Sequence, residues 1–156
     1  MANYKLHKIV KAEKIVIDAF LAELREDDRR ELFAIGNDVR KELEESINFS
    51  AECWAAFTDD DKPIVIFGRT MLPERDGALI WCVGTDRIED YWYPFLRHSR
   101  NILRKWAEEY GTLFNVVAEF NNPHMRWLSW LGAKFSKEIA VNGETFLPFT
   151  IESEDI

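Results

Sequence analysis

Three apolar runs separated only by turn residues constrain this chain most. Glu-Cys-Trp-Ala-Ala-Phe-Thr (52–58), Pro-Ile-Val-Ile-Phe-Gly-Arg-Thr-Met (63–71) and Ala-Leu-Ile-Trp-Cys-Val-Gly (78–84) are broken by Asp-Asp-Asp-Lys and by Pro-Glu-Arg-Asp-Gly. β-branched and aromatic runs bounded by Asp, Pro and Gly read as strands, and short connections of this kind reverse the chain tightly. The segment therefore predicts an antiparallel meander. Farther on, Leu-Phe-Asn-Val-Val-Ala-Glu-Phe (113–120) is almost continuously apolar, the pattern of a strand covered on both faces. A sheet of this kind needs helices on each side to bury it.

Helical periodicity supplies them. The segment Tyr4 to Ala12 begins with a strand over Leu6 to Val10, after which Asp18 is placed to cap a helix carrying Phe20, Leu21 and Leu24. The cluster Arg-Glu-Asp-Asp-Arg-Arg then leads to a stop at Gly36. Asp38 opens a second run with Val39, Leu43 and Ile47 four residues apart. A long helix follows Pro94, with Phe95, Leu96, Ser99, Ile102, Leu103, Trp106 and Tyr110 on one face and Gly111 at its end. A short helix spans Pro123 to Leu131, closed by Gly132, with Met125, Leu128 and Leu131 as its buried stripe. The last strands form a hairpin about Asn142-Gly143, a strong type I′ turn signal. The expected order is β-α-α-β-β-β-α-β-α-β-β: an α/β (α+β) chain with a mixed central sheet flanked by helices. It reads as a single domain over 1–156, with residues 152–156 a frayed acidic tail.

Composition excludes several functions. With 20 basic against 28 acidic residues the net charge is −8, which argues against nonspecific nucleic-acid binding, whose affinity comes from neutralising phosphates. The basic residues between Arg97 and Lys105 fall at helical spacing and read as a solvated face. No apolar run approaches the roughly 20 residues of a membrane span, and no signal-peptide core is present, so no secretion is expected. Cys53 and Cys82 lie in strand runs and read as small core residues. His7, His98 and His124 are isolated from one another, with no metal-ligand spacing.

The element order, together with Asn121, the helix that follows it and the Gly132-Ala133 pair that ends it, resembles the GNAT acyltransferase fold. The series Trp-Cys-Val-Gly-Thr-Asp (81–86), Phe-Leu-Arg-His-Ser-Arg-Asn-Ile-Leu (95–103) and Asn-Asn-Pro-His-Met-Arg-Trp-Leu-Ser-Trp-Leu-Gly-Ala-Lys-Phe (121–135) is similar to GNAT-like proteins of tailed bacteriophages. Among these is an internal virion protein of T7-like phages. The resemblance implies a GNAT-like sheet, a location in the host cytoplasm and the virion, and a protein partner from the virion or the host.

For activity, the resemblance implies two alternatives. An enzyme of the family would use acetyl-CoA and would cradle its pyrophosphate on a glycine-rich turn at a helix N-terminus. The equivalent stretch here, Gly-Thr-Asp-Arg-Ile-Glu-Asp-Tyr-Trp-Tyr-Pro-Phe (84–95), has one glycine. It carries Asp86, Glu89 and Asp90 against Arg87 alone, and Pro94 removes one N–H donor. Leu128 stands four residues before Gly132, where many of these enzymes place a tyrosine acid. Cys82, Glu119 and His124 are the other groups available to such chemistry, each also explained by packing or solvation. No residue is assigned a catalytic role and no metal site is expected. In the first alternative the scaffold has a degenerate acyl-CoA site, binds no cofactor and interacts with a protein. Its aromatic segment 90–95 is then a candidate interface. In the second, an N-acetyltransferase acts on an unspecified amine. CoA then lies between the fourth and fifth strands, lined by Val83, Gly84 and Thr85, with Asn121 nearby.

Overall fold

The predicted meander is the centre of one sheet. The computed structural model describes residues 4–156. Strands β2 (Glu52–Thr58), β3 (Pro63–Thr70) and β4 (Ala78–Gly84) pair antiparallel, and β3 is buried along nearly its whole length. β1 (Tyr4–Lys8) adds to the outer side of β2. Beyond β4 come β5 (Leu113–Ala118), β8 (Glu144–Ile151) and β6 (Lys134–Phe135), while β7 (Ile139–Val141) also pairs with β8. Among the described residues only β4 and β5 run parallel, and the sheet has eight strands.

Helices cover both faces. α1 (Lys14–Glu23), α2 (Glu26–Gly36) and α3 (Val39–Phe49) lie on one side. There Ile17, Phe20, Leu32, Leu43 and Ile47 pack on Ala55, Ile66 and Val83. α4 (Trp92–Tyr110) and α5 (Asn122–Trp130) lie on the other, where Phe95, Leu103, Trp106, Trp127 and Leu128 pack on Val65, Phe67, Ile80 and Val117. The strand residues alternate between these two sets, as the two-residue period of a strand requires.

The N-terminal half departs from expectation in ways that tertiary contacts explain. Three helices form where two were expected. The break falls at Leu24–Arg25, because Leu24 bridges Thr85 and the Arg25 N–H donates to the Gly84 carbonyl at 2.9 Å. Pairing with the end of β4 takes the backbone groups that would have continued the helix. Asp18 does not cap α1, which begins four residues earlier; its carboxylate instead pairs with Lys14 and Arg40. α2 closes on Asn37, in the left-handed conformation at φ 61°, and not on Gly36. Asp38 does cap α3, accepting from the Lys41 N–H at 3.1 Å. β1 ends at Lys8, leaving Val10 80% exposed.

At the other end, Asn142 and Gly143 both take positive φ, as a type I′ turn demands. The long first arm of that hairpin is divided into β6 and β7. The acidic tail does not fray. Residues 153–155 form a 3-10 turn, Arg104 donates to the Ile156 carbonyl at 3.0 Å, and Lys134 pairs with Asp155 at 3.5 Å. In α5 the buried stripe is Trp127, Leu128 and Leu131, with Met125 only partly covered.

Candidate site at the divergence of β4 and β5

Parallel pairing between β4 and β5 stops after Leu79 and Phe114. Beyond that point the strands diverge, and the Asn115 side chain reaches across, its amide donating to the Ile80 carbonyl at 2.7 Å. A cavity of about 240 Å³ fills the divergence. Its apolar wall includes Leu32, Ile80, Val83, Val117, Trp127 and Leu128, and its polar groups include Asp28, Glu31, Glu42, Cys82 and His124. The cavity thus touches helices from both sides of the sheet, which only a gap between strands permits.

One polar network organises its floor. Asp28, fully buried, pairs with the buried Arg25 at 3.1 Å and accepts the Gly84 N–H at 2.8 Å. The Asn121 amide donates to Asp28 at 2.9 Å and to Glu31 at 2.8 Å. His124 Nε2 lies 3.6 Å from the Asp28 carboxylate. The network ties α2 to the end of β4 and to the start of α5. Asn121 Oδ1 has no partner among the described residues. Burial pushes the Glu31 carboxyl above its ordinary range, and the adjacent Asp28 adds to the shift. Cys82 is pushed far higher, mainly by burial and then by the Asp28 charge, so its thiol stays protonated and weakly nucleophilic. Burial likewise pushes the Cys53 thiol up to about 12, in keeping with a core residue.

Of the residues singled out from sequence, Val83, Cys82, His124 and Leu128 line the cavity. Gly84 and Thr85 do not line it, and their polar groups are already engaged. Gly84 gives its N–H to Asp28 and its carbonyl to Arg25. The Thr85 hydroxyl donates to the Pro63 carbonyl at 2.8 Å and accepts the Arg87 N–H. Asn121 is buried in the network. Glu119 is exposed and outside the cavity. Asp86, Glu89 and Asp90 face solvent on a 3-10 turn (Asp86–Tyr91). Arg87 turns away from them to pair with Glu23 at 2.8 Å. Of the aromatic residues in the 90–95 segment only Tyr93 projects fully, while Tyr91, Trp92 and Phe95 join the core.

Arg25, Asp28 and Glu31 were not singled out from sequence. Their spacing of three places them along one side of a helix, and Asp28 is in phase with Leu32 and Ile35. That carboxylate within an apolar stripe was the available signal.

No family model matches the chain, and neither does any curated protein sequence. Solved structures do. A GNAT-family acetyltransferase from Bacillus anthracis superposes with a TM-score of 0.67 at 12% identity, covering 99% of this chain and 98% of that one. An IAA acetyltransferase from Bacillus cereus gives 0.62 at 11% identity, with 96% and 99% covered. A Bacillus subtilis acetyltransferase in complex with CoA gives 0.60 at 10%, with 96% and 99% covered. The chain has the GNAT fold, over nearly its full length and that of these structures.

Proposed function

We propose that this chain carries the acetyltransferase fold without holding acyl-CoA as the enzymes of that fold do, and that it acts by binding a protein, in a phage virion or on a host target. The connection from β4 to α4 supports this reading. A pyrophosphate needs unpaired backbone N–H groups and positive potential. Here the Gly84 N–H is capped by Asp28 and the Thr85 N–H by the Ile64 carbonyl, and three exposed carboxylates precede α4. Those carboxylates are favoured by the helix dipole, by roughly 0.3–1 kcal/mol each, and repel a phosphate placed beside them. These residues do not fit the pyrophosphate of CoA. Acetyl-CoA thermal shift tests the reading. A ligand at about 100 times its dissociation constant stabilises a fold by roughly 2.7 kcal/mol, so an unchanged melting temperature at millimolar acetyl-CoA is expected. The phage assignment rests on the motif likeness in 81–135. Absence of the chain from purified particles, with no host protein retained, would remove it.

The alternative is N-acetyltransferase activity. The cavity between β4 and β5, lined by Val83 and Cys82, favours it. A clear shift with acetyl-CoA would replace the first reading with this one.

A further inference from the structure

The chain carries 28 acidic residues, yet none falls between Tyr91 and Ala107 or between Asn121 and Lys137. These segments contain α4 as far as Ala107, short of Glu108 and Glu109 in its last turn, and all of α5. The two helices lie side by side: the Trp127 indole N–H donates to Ser99 at 3.2 Å, and the Arg100 guanidinium sits 5.4 Å from the centre of the Trp130 ring. Residues three and four apart share a helical face. Tyr93, Arg97, Arg100 and Arg104 therefore form one stripe along α4, and Arg126 and Trp130 a second along α5, meeting at Arg100. Tyr93 is 78% exposed and Trp130 48%; Arg97, Arg100 and Arg126 are exposed too. None of these three arginines forms an ion pair among the described residues, whereas most other arginines do.

One end of the stripe already holds an acidic peptide, the chain's own C-terminus. Arg104 binds the Ile156 carbonyl, Lys134 pairs with Asp155, and Ile156 packs on the core beneath. The recognition used there is a cation for the acidic main chain and side chains, and an apolar contact for the aliphatic residue. The same two elements continue beyond the tail, with Arg97, Arg100 and Arg126 as the cations and Trp130 and Tyr93 as the apolar surfaces. From Tyr93 to Arg104 the stripe is about 16 Å long at 1.5 Å per residue, enough for roughly five residues of extended chain.

We infer that the joined face of α4 and α5 is a docking surface for an acidic segment of a partner protein, one that carries an aromatic or aliphatic residue among its carboxylates. Arginine suits this role because its planar fork takes a carboxylate through two hydrogen bonds and also stacks on aromatic rings. The inference deepens the partner-binding reading by naming the partner's chemistry. It can fail independently, since acetyl-CoA binding decides that reading and peptide binding decides this one.

The test is fluorescence anisotropy with the intact chain and a fluorescein-labelled synthetic peptide of Asp and Glu with one central Phe. Parallel arms use the same peptide with Asn and Gln in place of the acids, and a single-stranded oligonucleotide of equal charge. The acidic peptide should bind, weaken as salt rises, and weaken by about tenfold or more, about 1.4 kcal/mol, in the double variant Arg100→Glu/Arg126→Glu. Trp130→Ala should weaken it less. Arg40→Glu, on the opposite side of the sheet, should leave it unchanged. If the double charge reversal disturbs the fold by circular dichroism, Arg100→Gln/Arg126→Gln takes its place with the same expected direction. Equal binding by the folded variant, equal binding of the amide peptide, no binding of the acidic peptide, or tighter binding of the oligonucleotide would each overturn the inference.

Discussion

The backbone N–H of Gly84, the last residue of β4, is held by the carboxylate of Asp28 on α2 at 2.8 Å. That bond joins a strand end to a helix on the adjoining layer, beside the cavity where β4 and β5 diverge. The same carboxylate binds Arg25 and Asn121. The Gly84 N–H is therefore part of the framework and not a free donor for a ligand.

Removing that carboxylate should be costly. Asp28→Ala leaves the buried Arg25 only the longer contact to Asp27 at 3.6 Å, strands the Gly84 donor and leaves the Asn121 amide with Glu31 alone. Breaking a buried pair from one side costs about 3–5 kcal/mol, to be read as a lowered urea midpoint. Asp28→Asn keeps an acceptor for Gly84 and should lose less. Equal stability of Asp28→Ala and the parent chain would show that the network contributes nothing to folding.

Glu31 should make stability depend on pH. Its carboxyl is raised above the ordinary 4.5, chiefly by burial. A raised acid binds its proton more tightly in the folded state, so its contribution is complete below 4.5 and lost as pH climbs through the folded value. Glu31→Gln keeps an acceptor for the Asn121 amide and cannot ionise. Its melting temperature should exceed the parent's at neutral pH, with the gap closing on acidification below 4.5. A gap that stayed constant with pH would assign the effect to something other than ionisation.

The two tryptophans of α5 should separate cleanly. Trp127 is buried against Phe95 and bonded to Ser99, so Trp127→Ala should cost about 3–5 kcal/mol through the cavity it leaves. Trp130 is nearly half exposed, and Trp130→Ala should stay within about 0.5 kcal/mol. Chemical denaturation of both variants checks the contrast, which similar losses would contradict.

Gly132 should not accept a side chain. Its φ is +89°, and a Cβ there would stand 2.5 Å from the Asp155 carbonyl oxygen. Gly132→Ala should therefore cost about 1–3 kcal/mol from backbone strain, and its melting temperature should fall by about 2–4 °C per kcal/mol for a chain of this size. Calorimetry showing no decrease would mean that the tail does not pack against this turn.

Local chemistry made much of the fold legible. The Asp- and Gly-rich connections specified the meander, Asn142-Gly143 the last hairpin, and Asp38 the start of α3. Each acts through neighbours in the chain, so each is readable there. The break between α1 and α2 was not readable, because it depends on Leu24 and Arg25 meeting β4 some sixty residues on. The tail misled for a similar reason: Glu152 to Ile156 looks solvated until Arg104 and Lys134 are brought beside it.

The candidate site divides along the same line. Val83, Cys82, His124 and Leu128 were identifiable through the resemblance to the GNAT fold, which puts one strand and one helix beside the expected site. Asp28, Arg25 and Glu31 sit in a run of charges that, read linearly, belongs to solvent. Thus the sequence by itself determined most of the elements, their order and the two faces of the sheet, the break between α1 and α2 excepted, since turn chemistry and apolar period are local. Only the tertiary structure decided which charges are buried and which backbone donors remain free. Burial and pairing of a polar group depend on what the rest of the chain places against it.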